Sequence, residues 1–95
     1  MSMNSRFELF KALGDRTRYN IILSLLGGER CACELPALVK RAQPTVSLQL
    51  KYLIKAGLLS SRRDGKNVLY RLKSQDIAQI MGVLGVRKSK SRKKC

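Results

Sequence analysis

Apolar residues recur at helical spacing in four successive stretches, switch to strand-like runs, and return to helical spacing near the end of the chain. Phe7, Phe10 and Leu13 share one face of a first helix, which the capping-box pattern from Ser5 to Glu8 would open and Gly14 would stop. Asp15 suits the N-cap of a second helix, with Tyr19, Ile22, Leu23 and Leu26 as its apolar stripe and Gly27-Gly28 as its end. A short third helix carries Leu35, Leu38, Val39 and Ala42. Pro36 is tolerated only in a first turn, so this helix cannot start much before Cys33. Gln43-Pro44 reads as the N-cap and first position of a fourth helix, with Val46, Leu50 and Leu53 inward and Gly57 at C′. The extended runs 58–62 and 67–72 then flank Asp64-Gly65, a hairpin signal. A last helix begins at Ser74, with Asp76 in its first turn and an apolar stripe of Ile77, Ile80, Met81 and Leu84.

This order predicts a mostly α fold with one β-hairpin: four helices, a two-stranded wing and a C-terminal helix, a winged helix-turn-helix. In that arrangement the second helix of the pair lies in the major groove and its N-terminal side chains meet base edges. Here those side chains are Gln43, Thr45, Ser47 and Gln49, whose amides and hydroxyls can bond base edges. Lys51 and Lys55 follow as phosphate contacts, and Arg62, Arg63 and Lys66 surround the hairpin tip as groove or backbone contacts. Periodicity alone would equally allow a helical hairpin with a polar outer face.

Charge favours the nucleic-acid reading. Twenty Lys and Arg against six Asp and Glu give a net charge of +14, which calls for a polyanionic partner, nucleic acid or an anionic membrane surface. Six of those cations lie in the tail RKSKSRKKC, residues 87–95, which should be disordered by itself; setting them aside leaves +8 on residues 1–86. We therefore expect one DNA-binding and dimerisation domain over 1–86 and a basic arm over 87–95. So small a domain gains from burying apolar surface against a second copy. No apolar run approaches the roughly 18 residues of a membrane span, and the first residues lack the pattern of a signal peptide, so a cytoplasmic protein is expected. With no histidine, few carboxylates and no nucleophile beside a visible base, an enzyme is not expected. A sequence-tolerant architectural DNA-binding protein is the competing class, and the basic tail is its best argument.

The stretch GERCACELP places Cys31 and Cys33 one residue apart at the start of the third helix. On a regular helix, residues i and i+2 point about 200° apart, so one ion could not take both sulfurs. Pro36 puts Cys31 outside the helix and removes that objection. A helix N-terminus favours thiolate, and Arg30 should add to the effect. A sulfur-only donor set suits soft ions. A thiol redox pair and two small apolar residues remain alternative readings.

The segments FKALGDRTRYNIILSLL, CACEL, QPTVSLQLKYLIKAGLL and RRDGKNVLYRL, taken together over about residues 7–84, resemble the ArsR family of metal- and metalloid-responsive winged-helix repressors. The resemblance implies a homodimer formed by the first and last helices, a palindromic DNA operator, and release from it when an effector binds. Leu48 and Gln49 depart from the arginine and histidine common in the family at those positions. The Cys31/Cys33 pair is similar to the C-x-C of the arsenic- and cadmium-sensing branch, although Pro36 replaces that branch's third cysteine. No N-terminal cysteine is present for the cadmium and lead site, and no histidine for the final-helix zinc and nickel sites. The resemblance thus implies trivalent arsenic or antimony as effector, other thiophilic ions being the alternative, no obligatory cofactor, and Cys95 on the tail as a candidate third ligand.

Overall fold

The computed structural model describes residues 3–85. Five helices and three strands follow in the order α1 (Met3–Leu13), α2 (Arg16–Leu25), β1 (Arg30–Cys31), α3 (Leu35–Val39), α4 (Gln43–Lys55), β2 (Leu59–Asp64), β3 (Asn67–Leu72) and α5 (Gln75–Val83). This is the expected winged helix-turn-helix, with one addition. The sheet is three-stranded and antiparallel in the order β1-β3-β2, because the segment before α3 pairs Arg30 with Tyr70 and Cys31 with Leu69. Two residues are too few to show an alternating pattern, so β1 leaves no periodic trace in the sequence.

The helix boundaries follow local chemistry. The Asp15 carboxylate accepts the Arg18 N–H at 3.0 Å and caps α2, and the Ser74 hydroxyl accepts the Asp76 N–H at 3.0 Å and caps α5. Gly57, at φ +82°, takes the left-handed step after α4 that a side chain would resist. Two expected starts move. Helix α1 already runs from Met3 through Ser5, so Ser5 lies inside it and not at its cap. Helix α4 is capped by Ala42 in extended backbone, which puts Gln43 and Pro44 one position further into the helix than the dipeptide suggested. Proline fits there because the first-turn amides are unpaired.

The core joins Leu9 and Ala12 of α1, Ile21, Ile22 and Leu25 of α2, Leu35 and Val39 of α3, Val46, Leu50 and Leu53 of α4, and Ile77 and Met81 of α5, with Leu26, Leu58 and Leu59 closing it. Three stripes therefore rotate from their expected positions. In α2, Ile21 and Leu25 are buried while Tyr19 and Leu23 sit at the margin. In α3, Leu38 is exposed, and Ala42 lies beyond the helix. In α1, Leu9 and Ala12 take the core side, leaving Phe7 and Phe10 exposed along with Val83 and Leu84 near the end of α5. The outer helices thus present large apolar side chains that the other described residues leave exposed.

Candidate nucleic-acid interface and thiol segment

Helix α3, a left-handed residue at Lys40 (φ 59°) and helix α4 form the helix-turn-helix, and β2 and β3 project beside it. The inward face of α4 is defined by Val46, Leu50 and Leu53, none more than 3% exposed. At about 100° per residue, that face fixes where every other side chain of the helix points. Pro44, Leu48, Lys51 and Lys55 form the outward crest, and all four are exposed. The four expected base readers do not share one face. Gln43 and Ser47 lie on one flank of the crest, Thr45 and Gln49 on the other, because residues two apart on a helix do not face the same way. Leu48, 65% exposed in the middle of the crest, was not among the expected readers. Its signal was available in the same 3.6-residue arithmetic.

Gln49 is also held in place. The Arg18 guanidinium donates to its Oε1 at 3.1 Å and to the Lys11 carbonyl at 3.2 Å, and it stacks 4.1 Å from the centroid of the Tyr52 ring. Arginine is only a donor, so Gln49 turns its amide oxygen to Arg18 and its NH2 away from it. Arg18, Leu48, Gln49, Lys51, Tyr52 and Lys55 surround one shallow depression of about 340 Å³.

The wing turns on Gly65-Lys66 between the paired Asp64 and Asn67, one residue later than the Asp64-Gly65 dipeptide suggested. Gly65 has φ +65°, and Lys66 does not share a positive φ, as in the hairpin turns with glycine at the first central position. Arg63 and Lys66 are exposed at this end. Arg62 is engaged elsewhere: its Nε and second terminal nitrogen each donate at 2.8 Å to the two carboxylate oxygens of Glu29, a bidentate pair that ties β2 to the loop before β1. The hydrogen bonds from Arg62, with the charges of Arg62 and Arg71 behind them, hold the Glu29 carboxyl below its ordinary range, and Glu29 in turn raises Arg62.

Cys31 lies on β1, 2% exposed, and Cys33 is exposed in the turn that leads to α3. The Cys33 N–H donates to Cys31 Sγ at 3.3 Å. Thus both cysteines lie off the regular helix, which removes the 200° objection for both. Arg30 also has partners other than the thiols. It is buried, and its guanidinium donates to the Ser24 carbonyl at 2.7 Å and to Glu34 at 3.1 Å, while the other Glu34 oxygen accepts the Cys31 N–H at 3.1 Å. The cation is therefore balanced by a carboxylate at the thiol segment. No group of three or more potential ligands from His, Cys, Asp and Glu is assembled among the described residues. Cys95 and the basic tail lie outside them.

A helix-turn-helix with a basic wing places the chain in the winged-helix class of DNA-binding folds. Residues 15–61 match the model of the bacterial regulatory proteins of the arsR family. The chain is 44% identical over 73 residues to the arsenical resistance operon repressor of Escherichia coli K12, covering 76% of this chain and 62% of that one, so it spans less than two thirds of that relative's length. It is 38% identical over 76 residues to an uncharacterised helix-turn-helix transcriptional regulator of Methanocaldococcus jannaschii, covering 78% of this chain and 84% of the relative. Its fold matches, with a TM-score of 0.77 and 27% identity over 88% of this chain and 78% of the other, the homodimeric winged helix-turn-helix DNA-binding domain of a possible ArsR-family regulator from Mycobacterium bovis. The chain belongs to the ArsR family. That is a family of transcriptional regulators, not of enzymes.

Proposed function

We propose that this protein is a homodimeric, sequence-specific DNA-binding repressor that leaves a palindromic operator when a soft metalloid, trivalent arsenic or antimony, binds the thiolates of Cys31 and Cys33. The observation that carries the reading is the position of the thiol segment. Cys31 pairs with Leu69 of the wing strand, and Cys33 lies two residues before α3, which leads directly into α4. An ion that takes both sulfurs replaces the Cys33 N–H···Sγ bond and brings buried Cys31 within its reach, so it perturbs the two DNA-facing elements together. Family membership supports the repressor role, and the name of the Escherichia coli relative supports the metalloid. Gln43, Thr45, Ser47 and Gln49 flank the crest of α4 as groove contacts, with Lys51, Lys55, Arg63 and Lys66 on phosphate. Arg62 acts through Glu29 to set the wing.

Phe7, Phe10, Val83 and Leu84 form the dimer surface, and the homodimeric Mycobacterium bovis domain supports that assembly. The protein acts in the cytoplasm; among the described residues no helix is long and apolar enough to cross a membrane. Cys95 or an exogenous thiol supplies the third ligand.

The test is fluorescence anisotropy on an operator duplex, titrated with arsenite and with antimony, cadmium and zinc ions. Arsenite should release the protein, and Cys31→Ser or Cys33→Ser should bind DNA and ignore it. Because coupling is reciprocal, operator DNA must weaken arsenite binding by the factor by which arsenite weakens DNA binding. Release of the double Cys31→Ser, Cys33→Ser variant would move the site elsewhere. Release by diamide but not by arsenite would favour a thiol-redox switch. Cys95→Ser decides the third ligand: loss of response assigns it to Cys95.

A further inference from the structure

We infer that Leu48 is the central base-reading residue of α4, that it selects a thymine by its methyl group, and that Gln49 beside it is restricted to offering amide N–H donors to an acceptor on a neighbouring base. This rests on the DNA-binding reading of α4 given above. A single exposed leucine is ordinary on a protein surface, so its place carries the argument. The buried face of α4 puts Leu48 at the crest, and its neighbours there are Lys51 and Lys55, about one and two turns further along, cations suited to phosphate. A partner that meets this crest must offer anionic groups to the two lysines and an apolar group to Leu48. In the major groove of duplex DNA the only such group on the four bases is the C5 methyl of thymine.

Gln49 follows from the same geometry. A glutamine reads adenine in a bidentate way by accepting from N6 and donating to N7. Here its Oε1 accepts from Arg18 at 3.1 Å, and Arg18 is itself fixed on the Tyr52 ring and the Lys11 carbonyl. The end turned away from Arg18 is the NH2, which fits thymine O4, guanine O6 or a purine N7. The selected step therefore holds a thymine under Leu48 and an acceptor edge under Gln49, with no requirement for adenine there.

The experiment is selection from a randomised duplex library with the unaltered protein and with Leu48→Ala, followed by anisotropy on the selected duplex and on copies in which single thymines are replaced by deoxyuridine, which removes only the methyl. Leu48→Ala alters an exposed side chain and should keep the melting temperature of the parent. One thymine per half-site should be marked by a loss on the order of fourfold on deoxyuridine substitution, and Leu48→Ala should bind the two duplexes alike. An identical selected motif for both proteins, or an equal methyl effect in both, overturns the inference while leaving the repressor reading intact. A library from which the unaltered protein enriches nothing overturns both. A requirement for adenine at the Gln49 position in the unaltered protein overturns the role given to the Arg18 contact.

Discussion

Helix α4 and the β2–β3 hairpin both carry cations outward, but they are supported in opposite ways. Under α4 lie Val46, Leu50 and Leu53, part of one core with every other helix, and Arg18 clamps its flank from α2. Beyond Leu59 the hairpin has no fully buried residue; only Tyr70 and Leu72 of β3 pack partly against the core, and the rest is held by its own ladder, by β1 and by the Glu29–Arg62 pair. A side chain that must distinguish bases has to be held to a fraction of an ångström, whereas one that neutralises phosphate does not. On the DNA-binding reading proposed above, sequence preference falls to α4 and salt-dependent attraction to the wing.

Truncation should separate the two most sharply. Leu50→Ala leaves a cavity beneath α4 and should cost about 2–5 kcal/mol of stability, whereas Val68→Ala on the half-buried wing strand should cost less than about 1 kcal/mol. Urea denaturation of both variants checks this, and equal losses would mean that the wing is as much a part of the core as α4. A smaller effect should follow from Lys66→Ala. Affinity should fall alike for operator and random duplex, and the salt slope should drop by about one. A change in sequence preference would give the wing a reading role.

The gentlest probe is the pair that braces the wing. Glu29 has a depressed carboxyl pKa because Arg62 hydrogen-bonds its charged form. A carboxylate depressed in the folded state contributes stability that is present above the ordinary carboxylate pKa and is lost as pH falls through the lower folded value. A carboxyl NMR titration should therefore give Glu29 a midpoint below the ordinary one, and Arg62→Ala should return it most of the way. An unchanged midpoint in Arg62→Ala would give Arg62 back to the hairpin tip as a free cation.

Much of the scaffold was legible because its signals are local. Asp15, Ser74 and Gly57 act on backbone within a few residues, and Val46, Leu50 and Leu53 repeat at the helical period. The candidate site was legible by element and less so by side chain. Arg18 meets Gln49 from 31 positions away and Arg62 meets Glu29 from 33, and composition gives no sign of either partner. The sequence places Arg30 beside the thiols, but the carbonyl of Ser24 and the carboxylate of Glu34, which accept from its guanidinium, are set by the fold. The split of Gln43, Thr45, Ser47 and Gln49 between two flanks is different, since helix geometry alone determines it. Residue type drew attention to those four, and spacing would have drawn it to Leu48.

Strand β1 covers the edge of β3 at Leu69 and Tyr70, and the Ala32 N–H extends that cover by donating to the Val68 carbonyl at 2.8 Å. An uncovered β-edge is a template for another strand. The short segment that holds Cys31 thus also serves as an edge guard, and the buried Arg30 at its head and the Glu34 carboxylate at its foot keep it seated. A chain whose Cys31 segment is peeled away keeps its hairpin but offers an open row of amides and carbonyls, so its first symptom is strand-to-strand association between copies while the helices are still folded.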